Sequence, residues 1–161
     1  MIYKLGKHQI SFHAGTLAIL EKFTQHKKFQ LEAGGIILGK LIGDGIEVMR
    51  LSVPTTLDKS SRYRFVRHKT SAQIIVDYEF YNSDGEMVYL GEWHTHPEIH
   101  PNPSCIDRSM IKRQYRSKDR RTDVLLLVIQ GIESRYVGLI ENGKLSTCEQ
   151  VTSAQSPEGP T

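Results

Sequence analysis

Cysteine is scarce: only Cys105 and Cys148 occur in 161 residues, far apart and in different expected elements. Two cysteines so placed exclude a disulfide framework and a Cys-x-x-Cys zinc knuckle. No uninterrupted apolar run approaches the ~18 residues of a membrane span, and the segment Met1-Ile2-Tyr3-Lys4-Leu5-Gly6-Lys7-His8 lacks the apolar centre of a signal peptide. The expectation is a cytoplasmic protein with no membrane partner. Charge of one sign is also nearly missing, since 21 Lys and Arg against 18 Asp and Glu leave a net charge of only +3. That balance does not mark the whole chain as a nucleic-acid binder. Internal repeats are absent. With 39% hydrophobic residues, the length suits one domain with its own core.

What is present is concentrated in His94-Thr95-His96-Pro97, with seven residues between His96 and the later Ser104-Cys105-Ile106-Asp107. The preceding run, Met87-Val88-Tyr89-Leu90-Gly91-Glu92-Trp93, reads as a buried strand, on which residues two apart point to one side. Both imidazoles then face one site, and Pro97 ends the strand just beyond them. Ser104 reads as a helix N-cap, which puts Asp107 in the first helical turn. Two imidazoles, one carboxylate and a position left for water make the ligand set of a catalytic zinc, one ion per chain. Ser-x-x-Asp is also an ordinary capping box. His100 is a rival third ligand, in the proline-rich loop Glu98-Ile99-His100-Pro101-Asn102-Pro103. Two glutamates compete to be the base. Glu92 shares strand parity with the histidines, and Glu32 opens Glu32-Ala33-Gly34-Gly35-Ile36-Ile37-Leu38-Gly39, where glycines permit close backbone approach. Spacing alone does not choose between them. Cys105, beside Ser104, reads as a small residue of a first helical turn.

Taken together in this order, these motifs resemble the JAMM signature, the zinc-binding form of the MPN domain, and the text around His94 is most similar to bacterial stand-alone members. The resemblance implies an α+β fold, a mixed β-sheet flanked by helices, spanning residues 1–151, with a flexible tail over 152–161. It implies zinc on His94, His96 and Asp107, Glu32 as general acid and base, and Ser104 as a donor to the tetrahedral intermediate. It further implies a peptidase or isopeptidase that cuts after the carboxyl-terminal glycine of a ubiquitin-like or conjugated protein. E1-like and E2-like partners are implied too, as in antiphage operons of the CBASS type. Many eukaryotic members have an aromatic residue where Glu92 stands, which leaves the neutralisation of Glu92 to be explained. Other readings are processing of a sulfur-carrier protein, a phage-tail peptidase, a scaffold without activity, and a nucleic-acid factor with structural zinc. The scaffold reading conflicts with the complete ligand set.

The remaining pattern supplies the frame. A helix is expected from Ala14 to about Lys28, carrying Leu17, Ile19, Leu20 and Phe23. Strands Ile36–Leu41 and Ile46–Val53 flank the turn Gly43-Asp44-Gly45, followed by a loop over 54–62 and a short strand over Tyr63–Arg67. Thr70 or Ser71 should cap a second helix with Ile74, Ile75, Tyr78 and Tyr81 inward, ending at Ser83-Asp84-Gly85. A helix over 105 to about 117, a central strand Val124–Ile129, and strands Arg135–Ile140 and Lys144–Val151 around Asn142-Gly143 complete it. Seven basic residues, Arg108, Lys112, Arg113, Arg116, Lys118, Arg120 and Arg121, read first as a solvated face and second as a docking surface.

Overall fold

The computed structural model describes residues 1–152, so the expectation for 153–161 lies outside the described residues. In chain order the elements are β1 (Ile2–Leu5), β2 (His8–Phe12), α1 (Ala14–Lys22), β3 (Gly34–Ile42) and β4 (Gly45–Leu51). Next come β5 (Lys59–Ser61), β6 (Arg64–Val66), α2 (Lys69–Asn82), β7 (Val88–Thr95) and α3 (Cys105–Tyr115). The last are β8 (Val124–Gln130), β9 (Arg135–Glu141), β10 (Lys144–Thr147) and β11 (Glu149–Gln150). Nine strands form one mixed sheet in the order β10-β9-β8-β7-β3-β4-β2-β1-β11, and β5 and β6 form a separate hairpin. This is the expected α+β class.

Strands β10 and β11 lie at opposite ends of that order, yet Cys148 alone separates them. The sheet therefore curls until its two ends meet on one continuous stretch of chain. The Cys148 N–H donates to Val137 O at 2.8 Å and Val151 N–H to Ile2 O at 2.9 Å. Burial in this seam pushes the Cys148 thiol up to about 12, in keeping with an inert core residue. Inside the curl, Ile10, Leu20, Ile37, Val48, Leu90, Trp93 and Leu126 share one apolar cluster. On the outer face, Ile111 of α3 packs with Leu125, Leu127 and Ile129. β8 is thus covered on both faces, which explains its unbroken apolar text.

The frame differs from the sequence expectation in several places. Helix α1 stops at Lys22, because Gln30 turns its side-chain amide back onto Thr24 O at 2.9 Å and Phe23 O at 3.5 Å, occupying carbonyls a longer helix would use. Part of the expected loop over 54–62 is strand β5, paired with β6. The α2 cap is His68, whose Nδ1 accepts from Ser71 N–H at 3.2 Å. Helix α2 also turns a different face inward. Ala72, Ile75 and Val76 pack near Ile36, Leu38 and Met87, while Ile74, Tyr78 and Tyr81 are exposed. Both stripes have helical spacing, so periodicity does not discriminate; the anchored start of α2 selects the Ala72 stripe. Finally, β7 runs through the first histidine and reaches Thr95.

Candidate metal centre

Antiparallel pairing of β3 with β7 sets Gly34 opposite His94 and Gly35 opposite Trp93. Continuing that register brings Glu32 level with His96. Thr95, between the histidines, points the other way; its N–H donates to Ala33 O at 2.9 Å and its Oγ1 accepts from Ala33 N–H at 3.0 Å. The Thr95 hydroxyl donates to Gln25 Oε1 at 2.8 Å, and Gln25 Nε2 donates to Gln30 O at 3.1 Å and Arg62 O at 3.0 Å. One buried amide thereby joins the histidine strand, the loop before Glu32 and the turn of the β5–β6 hairpin. Two glycines are required by geometry. A Cβ on Gly34 would lie 2.5 Å from Phe65 Cδ1 and 2.7 Å from Trp93 O, and Gly91 holds φ +145° in a bulge against the Leu126 backbone.

His94 and His96 both present Nε2 to one point, 3.1 Å apart. Asp107 completes the triangle, with Oδ1 3.1 Å from His94 Nε2 and Oδ2 3.3 Å from His96 Nε2. A tetrahedral ion with bonds of about 2.0–2.1 Å spaces its donors by about 3.4 Å, close to these edges. The donor set therefore fits zinc. The capping box aims the carboxylate: Ser104 N–H donates to Asp107 Oδ2 at 2.7 Å, and Asp107 N–H donates to Ser104 Oγ at 3.1 Å. The ordinary reading of Ser-x-x-Asp and the ligand reading thus describe one geometry. Burial works against the Asp107 charge, yet hydrogen bonds from His94 and His96, the charge of His94 and the Ser104 N–H hold its carboxyl well below the usual range. Burial likewise opposes charge on His96, but Asp107, Glu32 and Glu98 together raise its pKa.

Glu32 lies within reach of the same point, with ligand atoms of Glu32, His94 and His96 all inside 4.8 Å of one another. Of the two carboxylates, Asp107 makes the direct contacts to both imidazoles. Glu32 Oε2 is buried without a hydrogen-bond partner among the described residues. Such an orphaned acceptor beside three converging donors marks a place for a cation and its water. Burial, reinforced by Asp107 and Glu98, pushes the Glu32 carboxyl up to about 8, against the pull of His96 and of the Phe65 backbone N–H. The hairpin secures the Glu32 backbone as well, since Glu32 N–H donates to Ser61 O at 2.8 Å and the Ser60 hydroxyl donates to Glu32 O.

The competing candidates go elsewhere. His100 is exposed, with Nδ1 3.0 Å from Ser134 Oγ. Cys105 is exposed at the start of α3. Glu92 is buried, but its Oε1 and Oε2 accept from Arg67 Nε at 2.9 and 3.0 Å and Oε1 also from Tyr89 OH at 2.7 Å. That answers how Glu92 is neutralised. Sequence reasoning missed Arg67, although a glutamate in a buried strand demands a cationic partner. It also missed Gln25, Phe65 and Glu98, whose Oε1 faces His96 Nδ1 at 3.2 Å without hydrogen-bond alignment. No local text distinguishes those three. Glu92→Gln is expected to lower stability by about 3–5 kcal/mol by stranding Arg67, with metal content and turnover per folded molecule preserved. Denaturant unfolding beside metal analysis checks this; a stable but inactive variant would return the catalytic role to Glu92.

This α+β domain is a hydrolase of the JAB type. The family model for prokaryotic homologues of the JAB domain matches residues 18–138, and the chain belongs to that family. A Pseudomonas aeruginosa protein named CD-NTase/cGAS isopeptidase is 36% identical over 132 residues, 81% of this chain and 82% of the relative. A Vibrio cholerae protein of the same name is 33% identical over 122 residues, 76% of each. A solution structure of a Desulfitobacterium hafniense protein shares the fold at TM-score 0.60 and 18% identity, covering 86% of this chain and 88% of that one.

Proposed function

We propose that this chain is a zinc-dependent isopeptidase that releases a conjugated protein by cutting after its carboxyl-terminal glycine. The observation that carries the reading is the triangle of His94, His96 and Asp107 with the unpaired Glu32 oxygen beside it. His94, His96 and Asp107 would hold one ion. Zinc, when bound there, supplies a Lewis acid and lowers the pKa of its water to about 7. Glu32, whose unpaired Oε2 lies beside the two imidazoles, accepts the proton of the attacking water and returns it to the leaving amine. Ser104 Oγ accepts from Asp107 N–H, so its own hydrogen stays available to donate where the oxyanion develops. The β5–β6 hairpin, fastened to Glu32, offers strand edges for an extended tail. The names of the Pseudomonas and Vibrio relatives favour a CD-NTase, a cGAS-like nucleotidyltransferase, as the conjugated protein. E1-like and E2-like enzymes of the same operon would build the conjugates it reverses.

A conjugate joined through a terminal glycine should be cleaved after that glycine, and a chelator should abolish the cut. Replacing the glycine by a large residue should lower kcat/KM by about 10²-fold. Equal cleavage of both forms would remove the glycine requirement.

A further inference from the structure

The seven basic residues of 108–121 do not act as one surface. Arg120 stacks over Tyr115 at 4.1 Å and donates through Nη1 to Thr122 O at 2.5 Å, and Arg121 stacks over Phe80 at 3.9 Å. Those two cations are held by the fold. The other five, Arg108, Lys112, Arg113, Arg116 and Lys118, are exposed, and none has an ion-pair partner among the described residues; Lys118 lies beyond the end of α3. At 100° per residue Lys112, Arg113 and Arg116 fall on the outward side of α3, opposite Asp107 and Ile111, which face the sheet, while Arg108 sits on its flank. Asp107 is the only acid in the helix, and it is consumed by the capping box and the imidazoles. An ordinary solvated helix intersperses acids with its bases at i,i+4 spacing; this face has none.

Position decides what such a stripe is for. The stripe begins at Lys112, about 7.5 Å along the helix from Asp107, and ends at Arg116, about 13.5 Å from it, so it leads away from the metal centre. Helix α3 packs over β7, β8 and β9, whereas the β5–β6 hairpin adjoins Glu32 and Gly34 on the β3 side. The two flank the centre from opposite sides. If the tail of the conjugated protein lies along the hairpin, the stripe meets the chain beyond the scissile bond. We propose that the outward face of α3 docks an acidic segment of the acceptor, the protein from which the conjugate is removed. This rests on the isopeptidase reading. Continuity with a peptide-cleaving centre favours a protein partner over nucleic acid, and charge complementarity sets its sign.

The test uses the zinc-loaded enzyme and a ubiquitin-like protein joined through its terminal glycine to a lysine in one of two acceptor peptides. One peptide carries glutamates after the lysine and the other glutamines. At low salt the acidic peptide should be cleaved with kcat/KM about tenfold higher, and the preference should shrink toward parity at high salt. The triple variant Lys112→Glu, Arg113→Glu, Arg116→Glu should reverse the preference while leaving cleavage of the glutamine peptide and metal content unchanged. Equal cleavage of both peptides by the wild type overturns the docking surface and leaves the isopeptidase reading intact. Cleavage of neither overturns that reading, and the docking role with it. Stripe-dependent binding of a DNA duplex without a preference between the peptides reassigns the face to nucleic acid.

Discussion

Glu32→Gln should lower kcat by about 10²–10⁴-fold, the usual worth of a positioned proton carrier, with one zinc per chain retained and KM little changed. Glutamine preserves the shape of a residue anchored through its backbone to Ser61 and Ser60, so the hairpin should stay in place. Only the capacity to accept and return a proton is lost. A loss confined to kcat separates this role from substrate binding. Steady-state kinetics with parallel metal analysis is the measurement, and a Glu32→Gln enzyme that keeps most of its turnover would end the assignment.

The second large effect concerns the metal. His94→Ala, His96→Ala and Asp107→Ala should each empty the site and abolish activity, whereas His100→Ala should keep both. Zinc at a hundred times its dissociation constant should stabilise the wild type by about 2.7 kcal/mol, seen as a rise in Tm that the three ligand variants lack. Asp107→Ala also deletes the capping box, at a cost of about 1 kcal/mol. Asp107→Asn separates the two, since its amide oxygen can still accept from Ser104 N–H while the negative charge is gone. Zinc retained by Asp107→Ala but lost from His100→Ala would overturn the ligand set.

Much of the frame was legible because its signals are local. The β8 text is apolar from Val124 to Ile129 and the strand is buried throughout, and Asn142-Gly143 and Gly43-Asp44-Gly45 both form their turns. Parity placed His94 and His96 on one face, and the structure brings them to one point. The pairing of Glu32 with His96 depends on the β3–β7 register, which joins residues about sixty positions apart and leaves no trace in either segment alone. Family resemblance supplied that step. Parity also pointed Glu92 toward the site, and Arg67 from outside the strand claimed it. The two stripes of α2 show the same limit: a helix advertises its period but not which face its neighbours need.

The meeting of β10 and β11 around Cys148 has a bearing on how the molecule is made. Tyr3 pairs with Gln150, and Lys4 with Glu149, so the last hydrogen bonds of the sheet wait until residue 150 has been synthesised. Every residue of the metal centre emerges well before that moment. A nascent chain would carry both histidines and Asp107 while β1 and β9 still lack their outer neighbours, and contacts of such long sequence separation form slowly. Among the described residues the sheet should therefore complete its pairing only after the residues around His94, His96 and Asp107 have already emerged.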